Sequence, residues 1–111
     1  MLQNEIDKMN KIYSIIIARN DINFDSFEYV YRVNEIEGWS SQRLTYWLNN
    51  EVVMKNDFTS IDEQLLEIIS QELHDEMQKN LKGDWKKMIF VLNKTGEVNT
   101  KFDYNEQSLL D

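Results

Sequence analysis

This chain of 111 residues has no cysteine and a formal net charge of −8, which excludes a disulfide framework and a thiolate metal site. The acidic balance also opposes direct binding to nucleic acid or to an anionic membrane, since both polyanions reward lysine and arginine, and it favours a basic macromolecular partner. With 41% hydrophobic residues and an aromatic set of 3 Trp, 5 Tyr and 5 Phe, the composition is that of a folded protein, and one domain over residues 1–111 is expected.

From Leu2 to about Arg19, the residues Leu2, Ile6, Met9, Tyr13 and Ile16 recur every three or four positions, which predicts a helix with these side chains on its apolar face. Within it, Ile15-Ile16-Ile17-Ala18 is too short to span a membrane, and Glu5 and Asp7 are unlike the basic start of a secretory signal. A cytoplasmic location is therefore expected. Asn20, Asp21 and Asn23 supply turn chemistry before Phe27, Tyr29, Tyr31 and Val33 alternate with Glu28, Val30, Arg32 and Asn34 as a first strand. Residues Glu35 to Ser41, with Gly38, read as a connection. Leu44, Tyr46 and Leu48, alternating with Arg43, Thr45 and Trp47, then form a second, antiparallel strand. Asn49-Asn50 marks a turn or a bulge, after which Glu51 to Lys55 either extends that strand past a kink or forms a separate short one.

Ser60-Ile-Asp-Glu63 has the spacing of a capping box and starts a second helix. Leu66, Ile69, Leu73 and Met77 are its apolar stripe, widened by Ile61, Leu65 and Ile68. Lys79, Lys82 and Gly83 bring it to an end near Leu81. Met88 to Leu92 is an unbroken apolar run that suits a strand covered on both faces. Asn93 and Gly96 make the turn, and Val98, Thr100, Phe102 and Tyr104 alternate with polar residues as a half-buried partner strand. The expected fold is α+β in the order α-β-β-(β)-α-β-β, with four to five antiparallel strands and both helices on one face of the sheet.

Chemistry is sparse. The single histidine, His74, neighbours Asp75 and reads as a solvated helical residue, and without cysteine or a second histidine no nucleophilic dyad or imidazole metal site is expected. Glu72 with Asp75 or Glu76 could hold a divalent cation, but helical spacing of carboxylates has little specificity, and neither a cofactor nor catalytic residues are expected. More telling is the run Asp57, Asp62, Glu63, Glu67, Glu72, Asp75 and Glu76, which is interrupted by no lysine or arginine and predicts a negative surface. The helix dipole accounts for acids at the start of the second helix but not for Glu72, Asp75 and Glu76 near its end, where cations are preferred, so these point to a partner. Among the aromatics, Trp39 beside Gly38 and Trp47 off the apolar face are candidate interface anchors, whereas Trp85 reads as structural.

Trp85, Ile89, Leu92, Gly96, Phe102 and Tyr104 form a tryptophan-led hairpin with a glycine turn. With the earlier Met9-x-x-Ile12-Tyr13 helix and Tyr29-x-Tyr31 strand, the chain resembles the YezG-like family of bacterial immunity proteins over most of its length. It departs from that pattern at Gly38-Trp39-Ser40-Ser41 and through Asn56. The resemblance implies an antitoxin that binds and blocks a cognate toxin C-terminal domain, often a nuclease, by stoichiometric protein–protein binding. It supplies no catalytic residue. On this reading Glu67, Glu72, Asp75 and Glu76, with Trp39 or Trp47 as apolar anchor, contact the toxin. A non-toxin adaptor and a small carboxylate–metal enzyme are the other classes the residues allow.

Overall fold

The computed structural model describes residues 2–58, 61–80 and 83–110. Its elements follow in the order α1 (Gln3–Ile17), β1 (Ser26–Asn34), β2 (Trp39–Leu48), β3 (Glu51–Lys55), α2 (Glu63–Lys79), β4 (Lys87–Leu92) and β5 (Val98–Asp103). The strands form one antiparallel sheet in the order β3-β2-β1-β4-β5, so the fold is α+β as expected. The chain divides into a helical unit, Met1–Asp21 with Phe58–Asp84, and a sheet unit, Ile22–Asp57 with Trp85–Asp111.

In the sheet unit, β1 is the central strand, and its Phe27, Tyr29, Tyr31 and Val33 are all buried. Antiparallel partners directly opposite one another share a face, so Tyr46, Leu44, Leu92, Phe90 and Met88 join them in one apolar layer. Its rings interlock: Phe27 stacks on Phe90 at 6.2 Å and meets Tyr46 edge-on at 6.1 Å. The tight turns follow from side-chain chemistry. Asn49 and Asn50 both take positive φ (53° and 68°), the requirement of a two-residue hairpin loop, so Glu51–Lys55 is a separate strand. At the β1–β2 turn Asn34 Oδ1 accepts from Glu37 N–H at 2.9 Å while Gly38 takes φ 75°, and this closes the loop early enough that Trp39 lies in β2 and not in the connection expected for it.

The β4–β5 turn is held by one side chain. Asn93 Oδ1 accepts from Thr95 N–H at 3.1 Å, from the Thr95 hydroxyl at 2.6 Å and from Glu97 N–H at 3.0 Å, and Gly96 has φ 86°. Asn93→Ala is therefore expected to cost about 1–2 kcal/mol, read from the urea midpoint at unchanged m. The apolar run before it is not covered on both faces: Met88, Phe90 and Leu92 are buried, but Ile89 and Val91 are only half-buried. Beyond the turn, β5 is an edge strand, with Val98 at 42% exposure and Tyr104 outside the strand at 53%.

In the helical unit α1 and α2 pack together, and the buried line of α1 differs from the expected one. Ile12 and Ile16 are fully buried, whereas Leu2 and Ile6 are 48% and 37% exposed. The inward position in the first turn is taken instead by Glu5, whose carboxylate is satisfied on both oxygens: Oε1 accepts from Leu2 N–H at 3.4 Å and Oε2 from Asn80 Nδ2 at 3.2 Å. A carboxylate at this point also faces the positive end of the helix dipole. The α2 stripe is buried at Leu66, Ile69, Leu73 and Met77 as predicted, but Ile68 is 46% exposed. The capping role expected of Ser60 and the helix end expected near Leu81 and Lys82 lie outside the described residues. The observed cap is Asp62, whose Oδ1 accepts from Leu65 N–H at 2.9 Å, and the helix stops at Lys79 with Asn80 as C-cap.

Candidate functional site

Three of the four acids singled out on α2 come together. Glu72, Asp75 and Glu76 line an open cleft of about 490 Å³ with Leu2, Asn4, Lys8, Lys79 and Asn80, where the start of α1 meets the end of α2. The expected surface is negative, but it is tempered by two ammonium groups. Lys8 Nζ holds Glu76 Oε2 at 3.1 Å, and Lys79 follows Glu72, Asp75 and Glu76 at seven, four and three residues, on the same helix side. Asp75 Oδ1 already accepts from Gln71 Nε2 at 3.0 Å and lies 3.0 Å from His74 Nδ1. Glu72 is exposed, as is Asp75, whereas Glu76 is half-buried. Glu67 is exposed but lies outside the cleft, five residues before Glu72 and so about 140° round the helix.

His74 is not solvated. Its side chain is fully buried, because residue 74 shares the inward arc of α2 with Ser70, Leu73 and Met77. Nδ1 faces Asp75 Oδ1 at 3.0 Å and Nε2 faces Asp84 Oδ1 at 2.9 Å. A carboxylate oxygen thus lies against each ring nitrogen, and the buried ring presents no face to solvent. Asp75 was legible as its neighbour in sequence; Asp84, ten residues on and past the helix, was not.

The two tryptophans belong to the sheet unit and share one of its faces, since Trp39 pairs with Asn34 and Trp47 with Ser26 on the even-numbered side of β1. Trp39 is half-buried, donates from Nε1 to Glu37 Oε1 at 3.1 Å and is covered by the Arg32 guanidinium 5.2 Å from its ring centroid. Trp47 lines a hollow of about 360 Å³ with Phe27, Glu28, Val91 and Leu92. Within the helical unit the exposed apolar side chains near the acids are Leu2, which lines the cleft, and Ile68, four residues before Glu72 and seven before Asp75, a residue that sequence periodicity assigns to the core.

No protein-family model matches this chain, and no curated protein matches it. An outward helix face that pairs carboxylates with an exposed apolar side chain suits a cationic protein surface, with the acids accepting from lysine or arginine and Ile68 losing water against an apolar neighbour. Among the described residues, no helix is long and apolar enough to cross a membrane.

Proposed function

We propose that this protein is an immunity protein that binds a basic toxin domain, of the nuclease kind, in the cytoplasm and neutralises it stoichiometrically. The observation that carries this reading is the exposed α2 face, where Ile68 precedes Glu72 and Asp75 by four and seven residues on one side of the helix and Glu76 is nearby, the three acids lying near the helix end where the dipole alone would place cations. A nuclease groove is built to receive phosphates, and a rigid set of carboxylates can occupy or shield it. Opposite charge also speeds the encounter, with association approaching ~10⁸ M⁻¹s⁻¹ at low salt. The resemblance carried by the Trp85-led hairpin supports the same class.

The test is to measure association of the purified protein with the toxin domain encoded beside it, together with residual toxin activity. Glu72→Lys is the chosen variant because Glu72 is exposed and makes no contact that its loss would expose in the interior. It is expected to reduce the association rate about three- to tenfold at low salt, with the gap closing as salt screens the charge. Ile68→Asp should weaken binding mainly by faster dissociation. Full affinity and full protection in the Glu72→Lys, Ile68→Asp double variant would refute this surface as the toxin contact.

A further inference from the structure

The second face of the sheet carries charge opposite to that of the whole chain. By register it bears Arg32, Arg43, Lys55, Lys87 and Lys101, and its strand acids are Glu28 and Asp103. The other two cations of the sheet unit, Lys86 and Lys94, lie outside the strands. Arg43 reaches Glu28 only at 3.7 Å, and Lys55, Lys87 and Lys101 form no ion pair among the described residues. Ionic screening acts over roughly 8–10 Å, so a ligand on this face responds first to the cations it touches and not to the net charge of the whole chain.

The same face has apolar hollows. Trp47 and Val91 line the first, and Ile89 and Tyr104 line a second, of about 500 Å³, beside Lys101. Val52, opposite Trp47, is 55% exposed. One end of the face already binds polypeptide: Arg32 Nη1 donates to the Ser108 carbonyl at 2.9 Å, Asn34 Nδ2 donates to the Gln107 carbonyl at 3.0 Å, and Gln107 is buried there. This face therefore combines side-chain donors to a peptide backbone, unneutralised cations and hollows sized for apolar side chains.

We infer that this sheet face docks an acidic, extended segment of a partner protein, with carboxylates on Arg43, Lys55, Lys87 and Lys101 and apolar side chains seated at Trp47 and Ile89. A polypeptide fits better than a nucleic acid because acids outnumber bases at both ends of the sheet, with Glu35 and Glu37 against Lys86 at the β1–β2 turn and Glu51 and Glu97 against Lys94 at the opposite end. A polyphosphate running over these ends meets like charge, whereas a short acidic segment along the middle meets an excess of cations, with Glu28 and Asp103 the acids among them. The surface shares no residue with the α2 cleft and does not depend on the toxin-binding reading.

The experiment uses the full chain and a fluorescein-labelled peptide of about twelve residues alternating glutamate with leucine, followed by anisotropy. Binding is expected at low salt, weakening about tenfold in Arg43→Glu, Lys101→Glu and on raising salt, with the glutamine version of the peptide bound far more weakly. Glu72→Lys should leave peptide binding unchanged, which separates this surface from the helical one. If charge reversal perturbs the fold by circular dichroism, Arg43→Gln, Lys101→Gln serves instead, with a loss of about threefold expected. Absence of peptide binding, equal binding of the glutamine peptide, or unchanged affinity in the charge variants would overturn the inference. Preference for a thymidine dodecamer would assign the face to nucleic acid instead, and dimerisation abolished by the same variants would assign it to a second copy.

Discussion

Alanine in place of Trp85 is expected to lower the free energy of unfolding by about 3–5 kcal/mol, the largest loss at any single position considered. The indole is fully buried, 6.3 Å from the Tyr31 ring at 78° and 5.4 Å from Phe102 at 38°. It thus joins β1 to β5 across β4, ahead of a backbone bridge in which Lys86 N–H donates to the Asp103 carbonyl at 2.8 Å and Lys86 O accepts from Val33 N–H at 2.9 Å. Small domains are stable by only about 5–15 kcal/mol, so this deletion removes at least about a fifth of the total. Trp85→Phe keeps an aromatic partner for both rings and should lose less than half as much. Chemical denaturation of the two variants measures the difference, and a Trp85→Ala midpoint equal to that of the wild type would contradict the burial described.

His74→Ala should cost about 2–3 kcal/mol, where an exposed helical histidine would cost within about 0.5 kcal/mol. Most of this comes from the buried imidazole, which leaves a void among Ser70, Leu73 and Met77. The two carboxylates recover part of the loss by hydration, because the Asp75 and Asp84 side chains are 63% and 41% exposed. Asp84→Asn keeps a polar neighbour for Nε2 and should fall well below the alanine value. Thermal melts decide the matter: a drop of roughly 8–15 °C for His74→Ala is expected at this chain length, and a drop under about 2 °C would return the residue to the solvent.

What could be read from sequence here is what short-range chemistry decides. Asn93 with Gly96 and the Leu66–Met77 stripe act through bonds and periods a few residues long and form the turn and buried face their residues predict, whereas Asn49 with Asn50 allowed a turn or a bulge and the structure selects the turn. Exposure of Ile68, Ile89 and Val91 was not legible, because an apolar run does not say which of its faces another element covers. Trp39 was misplaced in a loop because the bond from Asn34 to Glu37 closes the turn before it. Burial of His74 and Glu5 depends on Asp84 and Asn80, which periodicity within one helix does not reveal. The cationic sheet face was hidden for the same reason: its five basic residues come from five different parts of the chain's register, and only strand pairing assembles them inside an acidic protein.

The order in which the chain leaves the ribosome gives the central position of β1 a further meaning. Phe27 pairs with Leu92 and Tyr31 with Met88, so one side of β1 stays without its hydrogen-bonding neighbour until some sixty more residues have been made. Over that interval β1–β3 can form a meander whose most apolar strand is an open edge, the geometry that invites pairing with another nascent chain. A product stopped after Asp84 would keep that edge permanently. Premature termination in this protein is thus a source of aggregating fragments and not merely of inactive ones.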